Sequence, residues 1–188
     1  MRGKRPPCLV ALGDSLTEGW GLTPAQAWPS LVQHQLAAEG LPLRVVNHGV
    51  SGDTTLDGLA RLGYALDEAP GAVTVQFGAN DLMQNLSPDL VERNLDTILI
   101  RLAEAGIRAA LLGVQTLLLR ESEEGPIFVR VFEQAAARHR VAYEPCILKD
   151  VLGHRELLLP DGVHPNPKGM AVMTRGLLPL IRDLAAGI

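Results

Sequence analysis

The sequence predicts an α/β protein, a three-layer α/β/α sandwich built on five parallel strands, and three observations carry that expectation. Five short apolar runs alternate along the chain with longer segments of helical periodicity. Within the runs, apolar residues follow one another without polar alternation, as strands do when helices cover both faces of their sheet. No linker, internal repeat or low-complexity tract interrupts the 188 residues. Strand–helix–strand crossovers place helices on both faces of a parallel sheet, and the length suits one core, so a single domain over residues 1–188 is expected.

The first strand is expected at Cys8–Leu12. Thr23-Pro24-Ala25-Gln26 then offers a capping residue, a proline suited to a first turn and the glutamine of a capping box. A helix is expected from there to a stop near Gly40. Leu43–Val46 supplies the second strand and Val73–Phe77 the third. Ser87-Pro88 opens another helix, with Ile98 and Leu102 on its apolar stripe and Gly106 suited to the left-handed residue that ends it. Ala109–Val114 and, more weakly, Val141–Tyr143 complete the strands. Asn166-Pro167 opens the last helix.

A formal charge of −4 gives no electrostatic reason to bind phosphate backbones, so no nucleic-acid partner is expected. No apolar run approaches the 18 residues of a membrane helix, and no stable membrane insertion is expected. Cys8 and Cys146 stand far apart and form neither a disulfide framework nor a CxxC site, so both are read as buried thiols. The N-terminus, Met1-Arg2-Gly3-Lys4-Arg5, has the charge of a secretory leader but is followed by Pro6-Pro7 and too short an apolar run. A cytoplasmic location is the expectation, and a periplasmic or secreted one the alternative if a leader precedes this sequence.

Ligands of parallel α/β sheets bind outside the carboxyl ends of the strands, so the loops after the apolar runs are where chemistry is expected. The loop after the first run reads Gly13-Asp14-Ser15-Leu16-Thr17-Glu18-Gly19. Its serine is either a nucleophile facing the crevice or a helix cap. Near the other end, Asp161-Gly162-Val163-His164-Pro165-Asn166 sets a carboxylate and an imidazole three residues apart in a turn. A serine hydroxyl is a weak nucleophile until a base takes its proton, and the base works best when a carboxylate fixes its tautomer. Asp161 and His164 supply what Ser15 lacks. His34, His139 and His154 suit the role less well, while His48 remains a competitor because its loop also reaches the crevice.

Acyl transfer further requires donors aimed at the oxyanion. Gly52, after the second strand, permits a close backbone approach, and Asn80, in Gly78-Ala79-Asn80-Asp81 after the third, carries a side-chain amide. Each alone is read equally well as a turn residue. Their occurrence on successive loops at one sheet edge favours a common site.

Four blocks, Gly-Asp-Ser-Leu at 13–16, Gly52, Gly-x-Asn-Asp at 78–81 and Asp-x-x-His at 161–164, make the chain resemble the SGNH, or GDSL-type, hydrolases over almost its whole length. Within that family, Ser-Gly-Asp-Thr at 51–54, Gly-Leu-Ala-Arg-Leu at 58–62 and Asp-Gly-x-His-Pro-Asn at 161–166 are similar to the bacterial thioesterase/lysophospholipases and arylesterases. The resemblance implies a flavodoxin-like sheet, Ser15 as nucleophile, His164 as base and Asp161 as its orienting partner. It also implies an oxyanion hole of the Ser15 N–H, the Gly52 N–H and the Asn80 amide. Ala79 departs from the second glycine many members carry and puts the free space of that hole in question.

The function expected is hydrolysis of carboxyl esters or thioesters of short to medium acyl chains, with a small-molecule substrate and neither cofactor nor metal. An ordinary imidazole titrates near ~6.5, so activity is expected to fall in acid. Leu82 and Met83, Leu117, Leu118 and Leu119, and Leu157, Leu158 and Leu159 are expected as walls of an acyl pocket, or else as core. Glu121, Glu123 and Glu124 mark a solvated lid ending at Gly125-Pro126. A carbohydrate O-acetyl esterase and a non-catalytic small-anion-binding protein are the alternatives.

Overall fold

A computed structural model describes residues 6–114 and 123–188. One sheet holds five parallel strands, β1 (Cys8–Gly13), β2 (Arg44–Gly49), β3 (Ala72–Gln76), β4 (Arg108–Leu112) and β5 (Ala142–Glu144), in the order β2-β1-β3-β4-β5. All five lie where the apolar runs predict. Gly13 pairs with Gly49 on one side and Gln76 on the other, so three strands end level with one another. The chain turns to opposite sides of β1 in making β2 and β3, and ligands of doubly wound sheets bind at such a switch point.

The missing polar alternation has a direct cause. Along β1, Val10 and Leu12 enter one core with Val73 and Val75 of β3 and Leu111 of β4, beneath α3 (Thr55–Ala60), α4 (Leu62–Asp67), α6 (Pro88–Glu104) and α7 (Gly125–His139). Leu9, Ala11, Ala72, Ala110 and Leu112 face the other core, under α2 (Trp28–Ala38) and α8 (Pro167–Ala185). Both sets must be apolar, so the period of two disappears from the sequence. The edge strands differ: in β2 and β5 no residue is fully buried, although their apolar runs read as strands covered on both faces.

Two boundaries also differ. The helix expected from Pro24 to Gly40 is instead a 3-10 turn over Pro24–Gln26, an extended Ala27, and then α2. Pro29 is the reason: it lacks an N–H for the Ala25 carbonyl and its ring would strike that group, whereas it fits the first turn of a new helix. β2 runs three residues beyond Val46, which puts Asn47 and His48 on a strand. The expected ends of α2 and α6 hold, with Gly40 and Gly106 at φ +77° and +70° and backbone bonds from Leu41 to Leu36 and from Ile107 to Leu102, each 2.9 Å.

Candidate active site

Ser15 opens a four-residue helix, α1 (Ser15–Glu18), at the carboxyl end of β1. The cap of that helix is Asp14, whose carboxylate accepts from the Leu16 N–H at 2.9 Å, so Ser15 is not spent on capping. Two glycines let α1 sit against the sheet. A Cβ on Gly13 would stand 2.2 Å from Thr17 Oγ1, and one on Gly49 2.0 Å from the Glu18 nitrogen. Beneath the helix, Thr17 donates to Gln76 at 2.8 Å, and the Gln76 amide faces the Asp14 carboxylate. Burial pushes the Asp14 carboxyl up to about 7, only partly offset by the Leu16 N–H and the Gln76 amide, with Asp81 and Asp53 adding to the rise.

The turn of Asp161 and His164 lies against this serine. His164 Nε2 is 2.9 Å from Ser15 Oγ, and His164 Nδ1 is 2.8 Å from Asp161 Oδ2. The other oxygen of Asp161 accepts from the backbone N–H groups of Val163 and His164 at 2.9 and 3.0 Å. Partial desolvation works upward on the Asp161 carboxyl, but these N–H groups and the imidazole together hold it below the usual carboxylate range. Asp161 is thus both a turn carboxylate and the partner of an imidazole. The Leu159 N–H to His164 carbonyl bond, 2.7 Å, closes the turn, and Gly162 meets its bend at φ +70°. Asn166 then caps α8 through Lys168 and Gly169.

The remaining histidines point elsewhere. His48, the competitor, has Nε2 3.9 Å from Glu68, His139 pairs with Asp96, His154 pairs with Glu156, and His34 lies on α2.

Gly52 lies on the loop after β2 at φ +89°, with nothing within 4 Å of where a Cβ would be. Among the described residues neither its N–H nor that of Ser15 has an acceptor. Asn80 lies in the first turn of α5 (Ala79–Met83), and its amide donates one N–H to the Asp53 carbonyl at 2.8 Å, leaving the second without an acceptor among the described residues. Asp81, fully buried, accepts from the Thr55 N–H at 3.0 Å and from the Thr55 hydroxyl, which binds the loop after β3 to the start of α3. Burial raises the Asp81 carboxyl in spite of those bonds. Ala79 needs no glycine, because the left-handed position is Gly78 at φ +119° and the alanine methyl packs toward the α2–α8 core.

The expected pocket walls are less unified. Leu82 belongs to the core under α6 and α7, Leu157 and Leu158 pack against the other core, and Met83 is 57% exposed. Leu117, Leu118, Leu119 and Glu121 lie outside the described residues. An apolar recess lined by Phe77, Gly78, Val114, Phe128, Phe132 and Tyr143 lies beside the start of α5. Three residues not anticipated from the sequence also belong to this region. Trp20 holds its ring 6.0 Å from that of His164, and Asp53 and Arg61 form a partly buried ion pair behind Gly52. The signal for the ion pair lay in the 51–54 and 58–62 stretches, which suggested kinship and no chemistry.

A hydroxyl, an imidazole and a carboxylate in series at the carboxyl edge of a parallel sheet is the arrangement of an acyl hydrolase. Comparison with known proteins agrees: residues 11–172 match the model of the GDSL-like lipase/acylhydrolase family. The chain belongs to that family and is a carboxylic ester hydrolase. Esterase TesA of Pseudomonas aeruginosa is 33% identical to it over 181 residues, covering 94% of this chain and 88% of its own. Thioesterase 1/protease 1/lysophospholipase L1 of Escherichia coli strain K12 is 30% identical over 159 residues, covering 84% of this chain and 75% of its own. The crystal structure of TesA aligns with a TM-score of 0.88 at 32% identity, covering 94% of this chain and 99% of the other.

Proposed function

We propose that the chain cleaves carboxyl esters or thioesters of short to medium acyl chains through an acyl-enzyme on Ser15. The observation that carries this is the unbroken series from Ser15 Oγ through His164 to Asp161, 2.9 and 2.8 Å at its two contacts. As Ser15 Oγ forms its bond to the acyl carbon, its proton passes to His164 Nε2, and Asp161 steadies the imidazolium. The carbonyl oxygen takes the negative charge and settles against the Ser15 and Gly52 N–H groups and the free N–H of Asn80. When the tetrahedral intermediate collapses, His164 returns the proton to the leaving alkoxide or thiolate. Water then gives a proton to His164 and attacks the acyl carbon, releasing the acid and restoring Ser15. No step requires a cofactor.

The kin named esterase and thioesterase support the choice of scissile bond. The test is labelling with a serine-directed organophosphonate, the adduct located by mass spectrometry, beside hydrolysis of p-nitrophenyl esters from acetate to dodecanoate. An adduct on Ser15 and loss of turnover in Ser15→Ala are expected. An adduct on another serine, or turnover retained by Ser15→Ala, would overturn the assignment.

A further inference from the structure

The three donors assigned to the oxyanion come from three separate loops, so something must hold those loops in register. One side chain touches the supports of two of them and, through a relay, the third. Arg61 stands where α3 gives way to α4, with φ −101° and ψ 9°, and this break leaves its side chain directed back under the loops. Its Nη2 donates to the carbonyl of Gly13 at 2.7 Å, two residues before Ser15. Its Nη1 donates to the carbonyl of His48 at 2.6 Å, at the end of β2, and its Nε to the carboxylate of Asp53, directly after Gly52. The Asp53 carbonyl in turn receives the Asn80 amide.

We propose that Arg61, acting with Asp53, is the positioning residue of the oxyanion hole, fixing the relative placement of the Ser15, Gly52 and Asn80 donors. This rests on the roles given to those three residues above. A planar guanidinium presents five donors in a rigid fork and can serve three acceptors in different directions at once, whereas an ammonium is a point charge on a flexible stem. The pair is enclosed enough to be rigid, with side-chain exposures of 18% for Arg61 and 14% for Asp53. Other bonds hold the outside of the same loop. Glu18 accepts from the backbone and hydroxyl of Ser51, Gln84 donates to the Gly52 carbonyl at 3.1 Å, and Val50 donates to the Gly13 carbonyl at 3.0 Å. Each of these bonds joins only two of the segments, whereas Arg61 with Asp53 links all three. Donors pre-set for a developing charge act on the transition state more than on bound substrate, so losing their alignment should appear in kcat.

Arg61→Lys and Asp53→Asn, each compared with the parent protein on p-nitrophenyl butyrate, test this, with thermal melting recorded for all three. The expected result is a kcat lowered ~10- to 100-fold with KM within about threefold, short of the ~10²–10³ that outright removal of a donor costs. Inactivation by the organophosphonate should slow in parallel. The double variant should lose little beyond the worse single one, since the two residues act as one hydrogen-bonded unit. A kcat within about twofold of the parent in either folded variant, or a loss confined to KM, would overturn the inference and leave the hydrolase assignment standing. A parent protein inert to both ester and phosphonate would remove the hydrolase assignment and this inference with it.

Discussion

The proposed acid–base turn and the proposed oxyanion region lie a few ångströms apart and are built on opposite plans. Within residues 157–169 the turn supplies its own bonds: Asp161 accepts from the Val163 and His164 N–H groups, the Leu159 N–H donates to the His164 carbonyl, and Asn166 donates its N–H to the Leu157 carbonyl and caps the start of α8. The oxyanion region has no such independence. Gly13, Glu18, His48, Gly52, Asp53, Arg61, Asn80 and Asp81 come together only when β1, β2 and β3 stand side by side. A partly exposed turn can be specified by neighbours in sequence. The bonds beneath the oxyanion loops join distant segments instead, because a polar group shielded from water and left unpaired costs ~1–3 kcal/mol.

Four measurements put that contrast at risk, and the largest effect is expected at the turn. Asp161→Asn leaves the two backbone bonds available to its amide oxygen but offers the imidazole no charge. Wrong-tautomer variants of other Ser-His-Asp enzymes lose ~10⁴ in kcat, and with Asp161 in contact with solvent the loss here should be about 10²- to 10⁴-fold. A loss under about tenfold would mean that the turn, and not its charge, is what matters. Asn80→Ala removes one proposed oxyanion donor and the donor to the Asp53 carbonyl, so a fall in kcat of ~10²–10³ is expected from steady-state kinetics. A fall in stability with kcat unchanged would make Asn80 a purely structural bond.

The third measurement concerns Asp14, whose carboxyl is raised from 3.8 to about 7. An acid with a raised folded pKa binds its proton more tightly when folded than unfolded. Its favourable contribution is therefore complete below 3.8 and is lost as pH rises through about 7. Asp14→Asn, which can still cap α1, should melt closer to the parent, or above it, as pH is raised through that window. A gap between the two melting curves that is the same at acid and alkaline pH would contradict this. Smallest of all should be Ala79→Gly. Position 79 is helical with its methyl toward the core, so activity should stay within about twofold while stability falls by up to ~1 kcal/mol. A clear gain in kcat would show that the methyl does crowd the oxyanion site.

Much of the fold was legible because local rules and tertiary demands agreed. The five apolar runs became five strands, and the capping residues Ser87 and Asn166 stand at helix starts. Disagreement arose where a second constraint acted on the same residues. Thr23 and Gln26 do form their capping box, yet Pro29 stops the helix they open, and a new one must begin at Trp28. The extension of β2 through Asn47 and His48 could not be read from polarity, since Asn47 is held in place by donating to the Thr17 and Glu18 carbonyls, some thirty residues away. The leucines near the site carry the same ambiguity: a leucine that lines a groove and one that fills a core look alike until the neighbours are known, and Leu82 proved to be core.

Residue order alone set the kinds of group available and their succession along the chain. A serine follows one strand, a glycine and an amide follow the next two, and an Asp–His pair precedes the last helix. Those features depend on residue type and on contacts within a few positions, which a linear pattern records. The assembled sheet was needed to settle which histidine meets Ser15, that Asp14 and not Ser15 caps α1, and that Arg61 reaches three carbonyl and carboxylate oxygens beneath the oxyanion loops. The reason is that hydrogen bonds act over about 3 Å, while the segments they join here lie up to 149 positions apart in the chain. Folding of the sheet is what converts the second distance into the first.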